Sequence, residues 1–267
     1  MNETLKRSLA GVVYMFLIVG SALLGEKILI LVFLILGIAS IYEVQRLLKF
    51  KNLIGYLLLA ALLYSLASFR IYFSYVFVLI PLVIVIKFLL LKDLFSKRDF
   101  VIISDKKPLI SWLFIVPSFL FLCLLPSVNG DYEPYLFISF FVLVWVNDSF
   151  AYIIGKNIGK HKLFERVSPK KTIEGFLGGL IMTIIFSIII FQIIEIYNLL
   201  IWLVIATLVS VFGSLGDLVQ SKFKRVANVK DSGSIIPGHG GVFDRMDSTI
   251  FSITFVYAFL LILEYVS

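Results

Sequence analysis

Residues 173–196 read IEGFLGGLIMTIIFSIIIFQIIEI, and the twenty positions between Glu174 and Glu195 carry no charge. A helix needs about 20 predominantly apolar residues to cross a bilayer, so this stretch is read as a membrane span. Working outward, comparable apolar runs occur at 8–24, 28–44, 53–69, 72–91, 109–125, 134–154, 199–219 and 242–265. The expected fold is therefore all-α: a polytopic membrane protein of about nine transmembrane helices. Asn198 and Gly25-Glu26-Lys27 leave only short breaks, which predict tight helical hairpins. Pro81 and Pro117 fall inside runs and predict kinks.

Composition supports this reading. The chain has 267 residues, 60% of them hydrophobic and 15% charged, against about 25% charged in a soluble domain. One soluble core cannot hide that much apolar surface. The first run ends at Gly25-Glu26-Lys27 instead of at a small-residue cleavage site, so it is expected to be a membrane helix and not a cleaved leader. Cys123 is the single cysteine and excludes an intramolecular disulfide framework.

The net charge of +7 does not point to nucleic acid, because the basic residues form short clusters between apolar runs. With nine spans, all but Lys27 and Arg70 of the 24 Lys and Arg fall on one side. Cytoplasmic loops are the ones enriched in these residues. The N-terminus is therefore expected in the cytoplasm. Residues 1–140 are read as scaffold helices with a possible dimerisation role, and 141–267 as the half that carries the active site.

Polar residues concentrate in that second half. Asp148, in Asn147-Asp148-Ser149, lies within or at the inner end of the sixth run, and an acid in hydrocarbon usually faces a wet cavity or a partner. In Ser168-Pro169-Lys170-Lys171-Thr172-Ile173-Glu174-Gly175, Ser168 is predicted to cap a helix with Pro169 at its first position. Lys170, Lys171 and Thr172 would then occupy the first turn, where free N–H groups and the dipole favour a phosphate. Lys160, His161 and Lys162 are read only as a topology signal.

The richest stretch runs from Asp217 through Ser221-Lys222-Phe223-Lys224-Arg225 and Lys230-Asp231-Ser232-Gly233 to Pro237-Gly238-His239-Gly240-Gly241-Val242-Phe243-Asp244-Arg245-Met246-Asp247. If the last helix begins near Gly241, Asp244 and Asp247 are three residues apart on one face. Carboxylates from two helix ends can converge on a hard cation such as Mg²⁺, which takes few carboxylates plus waters and phosphates. The competing reading pairs these acids with Arg225, Lys230 and Arg245 as interfacial ion pairs. Pairing alone leaves the three glycines unexplained, because they permit a sharp turn or a close approach.

Ser221-x-Phe223-Lys224-Arg225, Lys230-Asp231-x-Gly233 and the segment from Pro237 to Asp247 resemble the signature of the CDP-diacylglycerol synthase (phosphatidate cytidylyltransferase) family. Asn147-Asp148 and Ser168 to Gly175 are similar to further motifs of that family. The resemblance implies a Mg²⁺-dependent membrane enzyme, with or without a second cation. It would join CTP and phosphatidic acid into CDP-diacylglycerol and pyrophosphate in phospholipid biosynthesis. It also implies a homodimer in the inner or plasma membrane, with the active site facing the cytoplasm. On this reading Asp217, Asp244 and Asp247 bind metal, and Lys224, Arg225, Lys230, Asp231, His239 and Arg245 complete the catalytic set. Asp148, Ser168, Lys170, Lys171, Thr172, Glu174, Ser221, Gly238, Gly240 and Gly241 contact substrate.

Two other classes share part of this pattern. A cation-coupled transporter also carries intramembrane Asp and Gly-broken helices, but it has no need for eleven Lys and Arg in two loops around the acids. A CDP-alcohol phosphotransferase would show a tightly spaced Asp-rich helix motif, which the chain lacks.

Overall fold

A computed structural model describes residues 3–69, 74–96, 107–109, 111–235 and 240–266. Among these, the helices are α1 (Glu3–Leu23), α2 (Glu26–Leu47), α3 (Ile54–Phe69), α4 (Ser74–Phe95), α5 (Val116–Leu124), α6 (Pro134–Ile158), α7 (Ile173–Ile193), α8 (Leu199–Val226) and α9 (Phe243–Val266). A π-helical turn at Ser111–Ile115 leads into α5, and a 3₁₀ turn at Leu125–Ser127 follows it. Seven helical stretches are long and apolar enough to cross a membrane; the apolar stretches Leu9–Leu23 and Ile54–Ser68 are shorter. Together they account for the nine runs expected from hydropathy. Large apolar side chains such as Phe16, Leu57, Val78 and Ile181 point outward, as they should where lipid is the solvent.

The breaks between runs have local causes. Gly25 turns the chain at φ 111° between α1 and α2, a value favourable only for glycine. Asn198 Oδ1 accepts the Ile201 amide at 3.0 Å and caps α8. Pro81 lies inside α4, and Pro117 directly follows the π-helical turn that leads into α5. Lys87, grouped with the following loop by charge counting, lies inside α4. It is fully buried, donates to Ser118 Oγ at 3.2 Å and stands over the Phe114 ring.

The chain divides into two compact units, Met1–Pro134 with Phe223–Met246, and Tyr135–Lys222 with Asp247–Ser267. In the first, α2 packs against α1, α3 and α5. Gly37 of α2 permits this, since a Cβ there would meet Leu59 and Phe119. Phe33 and Phe119, and Phe114 with Phe223 and Phe243, fill the interior.

In the second unit, α6 and α7 meet through glycines. A Cβ on Gly175 would come within 2.7 Å of the Ala151 carbonyl and 3.0 Å of Gly155 Cα, and one on Gly179 within 2.9 Å of the Asn147 carbonyl. Small residues let membrane helices approach backbone to backbone. Phe212 stacks on Phe255 between α8 and α9, and Gly216 lies against Phe251. Because the two nearest atoms, the Ala151 carbonyl and Gly155 Cα, are main chain, Gly175→Ala should lower stability by ~1–3 kcal/mol through overpacking. Thermal unfolding in detergent reads this, and an unchanged midpoint would contradict the packing.

Residues 168–172 differ from expectation. Ser168 does not cap a helix. Lys162–Phe164 (β1) and Ser168–Thr172 (β2) form an antiparallel hairpin, with Lys162 opposite Thr172 and Phe164 opposite Ser168. Both strands are edges, so Pro169 is tolerated without a ladder bond. The cap has moved to Thr172, whose Oγ1 accepts the Gly175 amide at 3.1 Å, and α7 starts at Ile173. Lys170 and Lys171 therefore precede the helix and, as strand neighbours, point to opposite faces.

Candidate active site

In the first unit, Asp244 occupies the opening turn of α9. Its side chain is only 5% exposed and accepts Lys224 Nζ at 2.9 Å through Oδ1. Through Oδ2 it accepts the amides of Ser232 at 2.7 Å and Gly241 at 3.0 Å. Lys224 comes from the last turn of α8. Asp244 thus closes the α8–α9 connection at both ends and holds a cation beside it. Gly240 has φ 88°, and a Cβ there would stand 2.8 Å from Asp244 Oδ2, so the glycine is required both for its backbone angle and for space. Arg225, Lys230, Asp231 and Arg245 are exposed around this connection. Tyr14 Oη donates to the Arg245 carbonyl at 3.2 Å. Pro237, Gly238 and His239 lie outside the described residues.

A residue the sequence reading passed over organises the same connection. Glu43 of α2 is 1% exposed. It accepts the Val242 amide at 3.0 Å, the Phe243 amide at 2.9 Å and Ser232 Oγ at 2.9 Å. A Cβ on Gly233 would lie 2.5 Å from its carboxylate, and one on Gly241 would also collide with it. The close approach that these glycines permit is to the protein's own acid. Its signal in the sequence was an acid inside an apolar run, which is costly unless partnered.

In the second unit, Lys171 Nζ meets Asp217 Oδ2 at 2.6 Å, with the side chains 26% and 31% exposed. Ser221, one turn along α8, donates to Asp217 Oδ1 at 3.2 Å. Asp148 of α6 accepts from Ser248 Oγ and from Asn147 Nδ2, each at 3.3 Å, and Asn147 Oδ1 accepts Ser210 Oγ at 2.7 Å. Asp247 opens this unit's share of α9, and its Oδ1 accepts the Ser248 amide at 2.8 Å. Glu174 bonds to the chain itself: it accepts the Lys160 and His161 amides and lies 2.6 Å from His161 Nδ1. It fastens the loop before β1 to the start of α7. Ser168 is half-buried and Lys170 exposed.

Each unit therefore presents a lysine–aspartate pair: Lys224 with Asp244 where α8 ends and α9 begins, and Lys171 of the hairpin with Asp217 inside α8. Lysine is a point charge that attracts phosphate without fixing its orientation. A family model described as the Cytidylyltransferase family matches residues 5–263. The chain belongs to the cytidylyltransferase family. Over 113 residues it is 53% identical to a protein named phosphatidate cytidylyltransferase from Staphylococcus haemolyticus (strain JCSC1435), covering 42% of this chain and 43% of that one. Over 120 residues it is 48% identical to the protein of the same name from Bacillus subtilis (strain 168), covering 45% of each. The matched stretch spans less than half the length of these relatives.

For this chain, a divalent cation is compatible with the donor chemistry. Asp217, Asp244 and Asp247 offer hard carboxylate oxygens, the kind Mg²⁺ takes. Among the described residues no three His, Cys, Asp or Glu gather within reach of one ion. Mg²⁺ bound through one or two carboxylates, with waters and substrate phosphates, does not need such a group.

Proposed function

We propose that the protein is a phosphatidate cytidylyltransferase that moves CMP from CTP onto phosphatidic acid at the cytoplasmic face of the membrane, releasing pyrophosphate. The observation that carries this reading is the pairing of a lysine with an aspartate on apolar helices, Lys171 with Asp217 of α8 and Lys224 with Asp244 of α9. The relatives' names and the segregation of Lys and Arg to one side support it.

The chemistry asks for this composition. A phosphate monoester has a second pKa of about 6, so the lipid phosphate is largely ionised at neutral pH and needs no strong general base. Its oxygen attacks the α-phosphorus of CTP. The new P–O bond forms as the bond from the α-phosphorus to the oxygen bridging to the β-phosphate breaks, and pyrophosphate leaves with that electron pair. The barrier is repulsion between two polyanions, and such transfers depend mainly on positioning and electrostatics. Lys171 and Lys224 neutralise phosphate charge, and Asp217 and Asp244 hold the two ammonium groups in place. Arg225, Lys230 and Arg245 attract phosphate from exposed positions. Ser168, Lys170 and Thr172 border Lys171 in the hairpin, and Ser221 orients Asp217. Mg²⁺, bound through one or two of the candidate carboxylates Asp217, Asp244 and Asp247, would draw charge from the triphosphate. The enzyme is proposed to work as a homodimer.

The test uses purified full-length protein in detergent with CTP, dioleoyl phosphatidic acid and MgCl₂. Lipid-dependent pyrophosphate release and CDP-diacylglycerol are expected, with ATP a poor substitute for CTP. Folded protein that releases no pyrophosphate above the lipid-free control overturns the proposal.

A further inference from the structure

We infer that Glu43 is a positioning residue of the transfer site: a carboxylate on α2 that anchors the α8–α9 connection and thereby sets Asp244 and Lys224. The inference rests on the proposed cytidylyltransferase activity for its kinetic test, but not for its structural one.

Two carboxylates share the connection. Ser232 bridges them, giving its amide to Asp244 and its hydroxyl to Glu43. At the other end Gly241 gives its amide to Asp244, and the next two amides, Val242 and Phe243, go to Glu43. Every bond to Glu43 therefore falls on a residue that binds Asp244 or stands within two positions of it. Glu43 reaches them from about 190 to 200 positions earlier in the chain, so local structure could not supply the anchor.

The type of residue matters. Val242 donates to Oε1, while Phe243 and Ser232 donate to Oε2. Only an ionised carboxylate offers acceptor oxygens on both sides. Glutamine has the same size but would turn an NH₂ toward at least one of these donors. The two amides that Glu43 accepts are also among the unpartnered N–H groups at the start of α9. The carboxylate thus fixes where that helix begins, and with it the opening turn that carries Asp244.

The experiment compares wild type with Glu43→Gln, Glu43→Asp and Glu43→Ala in the full chain, measuring kcat, KM and thermal midpoint. Glu43→Gln should remain folded with its KM for CTP within about threefold, while kcat falls roughly 10–100-fold, the scale of a small misplacement of reacting groups. Glu43→Asp, which keeps both oxygens, should recover part of kcat. Amide hydrogen exchange at Val242 and Phe243 should accelerate in Glu43→Gln and Glu43→Ala with or without turnover. A kcat within twofold of wild type in Glu43→Gln overturns the inference, as does unchanged exchange at both amides. Loss of kcat only in proportion to unfolded protein also overturns it. Should wild type itself fail to turn over CTP, the activity is wrong, and exchange alone decides whether Glu43 anchors the connection.

Discussion

Asp244→Ala is expected to lower pyrophosphate release by at least ~100-fold, the scale of losing one preorganised electrostatic contact to a transition state. Three donors converge on this carboxylate, and all lose their acceptor together. Lys224, whose side chain is 16% exposed, would be left as a nearly buried cation, and breaking such a pair costs ~3–5 kcal/mol. The Ser232 and Gly241 amides would also be stranded, at ~1–3 kcal/mol each. Part of the activity loss could then reflect a loosened connection. The double variant Asp244→Asn with Lys224→Met separates the causes, because it removes both charges while keeping an acceptor for the amides. Its thermal midpoint should return toward wild type while its activity stays lost. Recovery of turnover in the double variant would confine the pair to a structural role.

Asp217 and Lys171 offer the second large effect, with less interference from stability. Both side chains are about a quarter to a third exposed, and exposed ion pairs contribute little to folding. Asp217→Ala should therefore leave the thermal midpoint nearly unchanged while turnover falls at least ~100-fold, as expected when a charge-stabilising contact is lost. The charge swap, Lys171→Asp with Asp217→Lys, sharpens the test. A purely structural bridge would be re-formed by the swap and activity would return. A bridge that presents a lysine to phosphate from one particular position would not be restored, and the swapped protein should stay inactive. Regained turnover in the swap would remove both residues from the chemistry.

The helical architecture was legible because hydropathy is a property of continuous sequence: among the described residues, seven long apolar helical stretches and two shorter ones occupy the nine runs. Residues 162–172 were misread for a physical reason. Ser168-Pro169 and Thr172-Ile173-Glu174-Gly175 both have the composition of a helix start, and local propensity cannot choose between them. Pairing with Lys162–Phe164 draws Ser168 into a strand and leaves the cap to Thr172. Lys171 still reaches an acid, but from a hairpin instead of a helical turn. Glu43 was legible only as an acid inside an apolar run, and its partners were not. Its partners lie about 190 to 200 positions away, and nothing near it in sequence announces them. Asp244 was legible as a residue of consequence. Its three donors were not, since two are backbone amides whose direction only the folded connection defines.

The glycine contacts between α6 and α7 bear on the route open to the proposed lipid substrate. With Gly175 facing the Ala151 carbonyl and Gly155, and Gly178 facing the Ile154 side chain, that seam has no room for a methyl group. An acyl tail is wider than a methyl. Sideways entry between these two helices is therefore shut at those glycines, and the diacyl substrate proposed above would need to enter elsewhere.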